Sequence, residues 1–225
     1  IGQGELRSAE SFFPPESIFH NPDVKQEADM PEMAAPLVAE YCGDNPDNCA
    51  DGKINMEFQY SGPSVLQDRI FDVLSAGFEP YFNVTKDMLL QDDHITQTAI
   101  GMYDFLTWRQ MGARNPDGDG VWIVCDAIGV LSLNWPRYCS PERDEILYGA
   151  RGNNDRDAVV QAWKDIAVNV QESYTYVLFT HTLWNATYAP NVRGMCDGAF
   201  PDGSIAYCRG TGGGYGNYST MWFEG

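Results

Sequence analysis

Between residues 115 and 126 the chain reads Asn115-Pro116-Asp117-Gly118-Asp119-Gly120, with Asp126 at the twelfth place. Side-chain oxygens at alternate positions around a glycine turn can wrap a hard cation such as calcium, because such a cation takes six or more oxygen ligands in a flexible shell. Asn115, Asp117, Asp119 and Asp126 are therefore a candidate calcium loop. Three features depart from that pattern. The first place is Asn, the second is Pro, and the last is Asp instead of a bidentate Glu. The flanking stretches also read as strand and apolar run, not as paired helices.

Six cysteines fall into three local pairs: Cys42 with Cys49, Cys125 with Cys139, and Cys196 with Cys208. Each pair encloses a short, turn-rich stretch. Short-range pairing costs the least chain entropy, and each such bridge contributes about 2–3 kcal/mol by restricting the unfolded chain. Disulfides imply an oxidising compartment outside the cytoplasm. The alternative is six buried free thiols. No Cys-x-x-Cys and no paired His-Cys spacing is present, which argues against a structural zinc site.

Hydrolytic chemistry has little to stand on. His20, His94 and His181 are far apart, and no His-x-x-x-His or Gly-x-Ser-x-Gly occurs. His94 is expected on a helix surface and His181 in a strand. The adjacent acids Asp92 and Asp93 are the pair a secreted hydrolase would use, but acids are abundant here. The expectation is a protein without catalytic residues and without a cofactor.

The elements that would position these groups follow from periodicity. A short helix is expected over 30–41, with Met33, Leu37 and Val38 on one face. Residues 53–60 alternate, with Ile54, Met56, Phe58 and Tyr60 on one face, which predicts a half-buried strand. Ser64 is an N-cap for a helix over 65–75, carrying Leu66, Ile70, Val73 and Leu74 at helical spacing and closed by Gly77. A second strand is expected over 79–84. Thr85 then caps a helix to Ala99, Gly101 ends it, and 102–108 is a third strand. Ser140 and Pro141 open a helix, and 155–172 is amphipathic through Val159, Val160, Trp163, Ile166, Ala167 and Val170. A last strand or two is expected within 174–188. Strand–helix–strand–helix–strand predicts a mixed α/β layer with crossover helices.

Composition bounds the partners. The chain has 225 residues, 44% hydrophobic and 20% charged, with net charge −18. Its 14 Lys and Arg are scattered, which excludes a nucleic-acid groove. No apolar run approaches the ~20 residues of a membrane span, so no membrane insertion is expected. Asn-x-Ser/Thr sequons at Asn83, Asn185 and Asn217 matter only in a secreted eukaryotic protein. The run from Gly210 to Gly216 follows no strand and opens no helix, so it reads as a loop and not a dinucleotide fingerprint.

The order of elements resembles the oligopeptide, dipeptide and nickel type of extracellular solute-binding protein, family 5. The stretch Pro14-Pro15-Glu16-Ser17-Ile18-Phe19-His20-Asn21-Pro22-Asp23 resembles that family's proline-rich crossing. Leu74-Ser75-Ala76-Gly77 matches its Leu-x-x-x-Gly helix end, and Gly101-Met102-Tyr103-Asp104 its Gly-x-Tyr-Asp strand. The run from Asn134 through Arg137-Tyr138 to Pro141 and Asp144 matches its Asn-x-x-Arg-Tyr-x-x-Pro-x-x-Asp. The agreement extends over most of 14–194 and rests on the ordered series.

The resemblance implies a C-terminal half in three parts. Residues 1–30 would be a crossing segment from a missing first lobe, 31–194 a second-lobe domain of the periplasmic-binding-protein type II fold, and 195–225 a Gly-rich tail. It implies capture of a peptide or other small solute by lobe closure, for an ABC transporter permease, outside the cytoplasm. The first lobe would come from a companion chain or a lost segment. By position, Trp108 would stack on the ligand, Arg109 would pair with a carboxylate and Asp117 would meet an ammonium group, with Asn134 and Tyr138 nearby. Each has a plainer alternative: Trp108 in the core, Arg109 on the surface, Asp117 in a turn. The Asp that anchors a peptide amino terminus in the family is absent near Met111-Gly112, so a sugar or another solute remains open. A calcium-dependent or glycan-binding extracellular module is the alternative function.

Overall fold

The computed structural model describes residues 8–28, 30–109, 115–181, 189–194 and 221–225. Its organising element is strand β2 (Lys53–Ser61). Strand β1 (Cys49–Ala50) returns antiparallel onto it through Asp51-Gly52, both with positive φ, the pair that a tight hairpin turn demands. The Cys42–Cys49 disulfide ties β1 to the end of helix α1 (Pro31–Asp44).

Helix α2 (Val65–Phe78) carries the chain from β2 to β3 (Phe82–Leu89), and helix α3 (Gln91–Ile100) carries it on to β4 (Phe105–Leu106). Both β3 and β4 run parallel to β2, on its opposite sides. Parallel crossovers are right-handed almost without exception. One crossover moves to one side of β2 and the next returns past it, so the two helices lie on opposite faces of the sheet.

The two faces differ in chemistry. On the α2 face, Phe58 and Tyr60 are fully buried among Phe71, Phe78 and Phe105, with ring centroids 4.9–6.5 Å apart. On the α3 face the buried groups are polar. The Gln59 amide donates to Gln97 Oε1 at 2.8 Å, and His94 and Thr98 are buried beneath α3.

A second core lies among helices α4 (Pro141–Arg151) and α5 (Arg156–Glu172). Ile123, Val124, Leu147, Trp163, Ile166 and Val170 are its buried members. Phe13 packs edge-on against Trp163, so the N-terminal segment belongs to this core. Ser140 Oγ accepts from Arg143 N, and Asp155 Oδ1 accepts from Asp157 N, capping α4 and α5 where the sequence places their starts. The remaining strands, β5 (Val192–Arg193) and β6 (Trp222–Phe223), pair antiparallel.

Several expectations need correction. Gly77 does not end α2, which runs one residue further; Leu66 is 50% and Val73 56% exposed, and α2 has no buried residue. Thr85 is not a helix cap. It lies inside β3, which is eight residues long because its register with β2 is uninterrupted. The third strand shrinks to Phe105–Leu106. Residues 174–181 form no strand beyond the bridge of Ser8 with Thr180, and His181 is half-buried outside any element. Gly101 does close α3, at φ +78. The Cys196–Cys208 pair, the Gly-rich run, Met111-Gly112 and the sequons at Asn185 and Asn217 lie outside the described residues.

Candidate ligand-facing edge

In an open parallel sheet, the helices that follow two adjacent strands can leave to opposite faces. The carboxyl ends of those strands then leave a crevice between them, and ligands of such folds bind there. Here the adjacent strands are β2 and β3, and the departing helices are α2 and α3. The crevice lies between Gly62-Pro63 and Leu90. Gly62 N donates to Leu89 O at 2.8 Å, and the Gly62–Pro63 peptide is cis. A Cβ on Gly62 would stand 2.5 Å from the Met88 side chain, so the turn needs glycine to pass so close. Val65, Leu66, Met88 and Leu90 surround it and are exposed, at 45–70%. Four large apolar side chains ringing strand ends form a surface that suits an apolar ligand or a covering domain. None of the four was singled out as a site residue from sequence. Leu66 stands at helical spacing with Ile70, Val73 and Leu74, and the others carry no motif.

Trp108 and Arg109 follow β4 at the same edge. Arg109 is exposed. Trp108 is half-buried and stacks on the buried His94, with ring centroids 5.2 Å apart. On Trp135 it packs at 4.3 Å, and Trp135 stacks in turn on Trp122 at 5.7 Å. These four rings form a spine from α3 to the second core, which Trp122 joins. Stacking on protein rings thus occupies much of Trp108, and what it presents to a solute is its remaining exposed edge.

His94 is 1% exposed and not a surface residue, because α3 has no apolar side to turn inward and buries His94 and Thr98, one turn apart, instead. Burial holds its imidazole below the usual histidine range, against the Thr107 carbonyl and the Asp87 charge, which favour the proton. Its Nδ1 is buried without a partner.

The other sequence-derived positions lie in the loop system 115–139. Asn134 is buried, and its amide donates to Val124 O and Tyr138 O, both at 3.0 Å. Tyr138 is 40% exposed, and its ring faces the Arg143 guanidinium at 5.5 Å. That guanidinium, buried and missed from sequence, donates twice to Ile123 O and once each to Tyr138 O and Asn169 Oδ1. Burial lowers its proton affinity. The structure thus brings Asn134 and Tyr138 together and links them, through Trp135, to Trp108.

Asp117 is placed apart, bridged to Arg151 of α4. The calcium-loop oxygens do not converge. Asn115 Oδ1 accepts from Asp117 N, Asp117 is bridged to Arg151, and Asp126 accepts from the Tyr148 hydroxyl. Among the described residues no group of three or more His, Cys, Asp or Glu is placed to hold a metal ion. The physical reason is local: Pro116–Trp122 winds into a 3-10 helix instead of a ligand loop. Asp92 and Asp93 sit exposed in the first turn of α3.

No family model matches the chain, and no curated protein does. Solved structures do. The oligopeptide-binding protein AppA from Bacillus subtilis, in complex with a nonapeptide, superposes with TM-score 0.68 at 16% identity over 98% of this chain and 43% of its own. The periplasmic binding protein DppA from Helicobacter pylori, in complex with the peptide STSA, gives TM-score 0.63 at 15% identity over 79% and 34%. NikA from Brucella suis, in complex with Fe(III)-EDTA, gives 0.63 at 17% over 79% and 37%. The chain therefore has the mixed α/β fold of periplasmic binding proteins, and it spans well under half the length of these neighbours. The neighbours are binding proteins, and two disulfides are formed here, Cys42–Cys49 and Cys125–Cys139.

Proposed function

We propose that the chain is the second, C-terminal lobe of an extracytoplasmic solute-binding protein serving an ABC importer. In this reading 31–194 is the lobe, 1–30 the crossing from a first lobe, and 195–225 a Gly-rich tail belonging with that first lobe. The observation that carries the reading is the exposure of Val65, Leu66, Met88 and Leu90 beside the carboxyl ends of β2 and β3. Large apolar side chains gathered at one sheet edge suit a ligand or a covering second domain. Likeness to peptide- and metal-chelate-binding folds, over about two fifths of their length, supports the same reading.

The mechanism is closure. Contacts made to solute in the closed state, and absent in the open one, shift the population toward closure. Val65, Leu66, Met88 and Leu90 supply apolar contact, Arg109 a cation for an anionic group, and Trp108 an aromatic edge. Asn134 and Tyr138 act from behind, by fixing the loop that holds Trp135 against Trp108. Asp117, engaged with Arg151, is the weakest member of the set. No bond is made or broken, so no turnover is expected.

Antibodies raised against this chain test the reading on the natural protein. A single extracytoplasmic species of more than twice 25.1 kDa is expected, since the neighbours are more than twice as long. A 25 kDa cytoplasmic species would overturn it.

A further inference from the structure

Trp108, whose edge meets solute in the proposed closure, packs against two rings. Trp135 lies on it at 4.3 Å, and the His94 imidazole stacks on it at 5.2 Å with 27° between the ring planes. The two contacts differ in kind. An indole stays neutral at every ordinary pH, whereas an imidazole titrates near neutrality.

His94 has a fixed seat. It lies inside α3 and is 1% exposed. Its N donates to Leu90 O at 2.9 Å, and its O accepts from Thr98 Oγ1 at 2.6 Å. From that seat the ring holds two successive residues. It donates to the Thr107 carbonyl and covers the Trp108 indole with its face. Thr107 N donates to Gln59 O of β2 at 3.2 Å. Thr107 is thus tied to β2 through its N–H and to α3 through its carbonyl. That carbonyl belongs to the peptide bond leading into Trp108, so His94 fixes both the backbone that carries the indole and the indole itself.

The other ring nitrogen, Nδ1, is buried with no partner among the described residues. In the neutral ring it is a bare acceptor. In the imidazolium it becomes a charged donor with nothing to receive it, which a site this buried disfavours. Attraction of the cation to the indole acts across the ring face and supplies no acceptor in the ring plane. Among the neighbouring elements, β3 contributes the one charge felt at the ring, that of Asp87. Strand β2 meets α3 through the neutral Gln59, whose amide donates to Gln97 Oε1 at 2.8 Å. The end of β4 contributes Thr107 and Trp108. An imidazolium therefore gains by turning toward the Asp87 carboxylate or water, and in turning it leaves the indole.

The geometry points to His94 as the residue that positions Trp108 at the strand edge, and to its protonation as the event that frees Trp108. The consequence for binding, weaker capture of solute in acid, rests on the reading of that edge as solute-facing. The hold of His94 on Trp108 does not.

Near-UV circular dichroism of the 225-residue chain, titrated from about pH 8 to 5 with no solute added, tests the hold, since that signal reports how aromatic side chains are packed. The tryptophan band should change with a midpoint below the ordinary histidine value of about 6.5, while the far-UV signal stays constant. Trp108→Phe should remove most of the change. His94→Phe keeps a flat ring for the indole, and His94→Gln keeps a donor for the Thr107 carbonyl. Both should abolish the transition, and His94→Phe should retain more of the band seen at about pH 8. A wild-type band that does not move overturns the proposal. So does a transition that survives Trp108→Phe or either His94 variant, or one that coincides with loss of the far-UV signal. The reading of the edge is tested apart, on the full-length natural protein with short peptides, oligosaccharides and metal chelates as probes. If Trp108→Ala leaves a probe-dependent rise in melting temperature intact, the solute contact of Trp108 fails, and not the hold of His94 on it.

Discussion

Trp108 packs against Trp135 with ring centroids 4.3 Å apart, although 27 positions separate them. One residue follows the last parallel strand, and the other belongs to the disulfide-closed loop of the second core. With His94 and Trp122 on either flank, this contact makes one body of the sheet and the helical core. The account of the chain as a single lobe depends on it.

Trp135→Ala should therefore be among the most damaging substitutions. Trp135 is half-buried but packed between two rings, and removing a fully buried aromatic costs about 3–5 kcal/mol, so a loss toward the lower end of that range is expected. Urea denaturation is expected to show that loss, together with a split of the single transition into two. Trp135→Phe, which keeps a ring against Trp108, should recover most of it.

Arg143 supplies a second anchor. Its guanidinium holds the carbonyls of Ile123 and Tyr138, and no water can replace it in a site 1% exposed. Arg143→Met keeps the volume but strips Ile123 O of its donor, while Tyr138 O keeps the Asn134 amide, at about 1–3 kcal/mol for the buried group left unpaired. Arg143→Lys cannot reproduce the planar fork and should recover less than half of the loss. Melting temperatures of the two variants check this.

Acid should weaken the fold through His94. Its folded affinity for the proton is lowered by burial, while in the unfolded chain it titrates normally. The unfolded state then binds more protons, so stability falls as pH drops from about 6.5 toward the lower folded value, and is constant beyond. His181, also lowered by burial, adds in the same sense. Asp87 faces His94 and limits the shift. Stability measured between pH 8 and 5 should fall for the wild type and fall less for His94→Gln.

The two disulfides should differ in worth. Cys125–Cys139 spans a separation of 14 and Cys42–Cys49 one of 7. Loop closure makes the first worth about 3 kcal/mol and the second somewhat less. Paired Cys→Ser variants, compared by denaturation, should show that order.

The sequence carried the backbone of this picture unevenly. The alternation of Ile54, Met56, Phe58 and Tyr60 marked β2, and Ser64, Gly101, Ser140 and Asp155 marked helix ends through their own side chains or φ. Those signals are local. Strand β3 was misplaced because its length is set by register with β2, and Lys86-Asp87 looks like a helix start without that partner. His94 was misread because α3 buries a polar side, against the usual rule. The crevice was invisible, since it arises from two helices leaving opposite faces and no single segment encodes that. Trp108 was noticed, but its engagement by Trp135 was not.

The central claim, that the carboxyl edge of β2 and β3 faces a solute, is tested most directly by thermal shift on the full-length natural protein. The probes are short peptides, oligosaccharides and metal chelates. One class should raise the melting temperature with saturation, since ligand binding to the native state alone stabilises by mass action. Leu66→Glu with Leu90→Glu should abolish that rise, whereas Ala76→Glu, at the opposite end of α2, should leave it intact. A rise that survives the crevice substitutions, or none with any probe, would contradict the account.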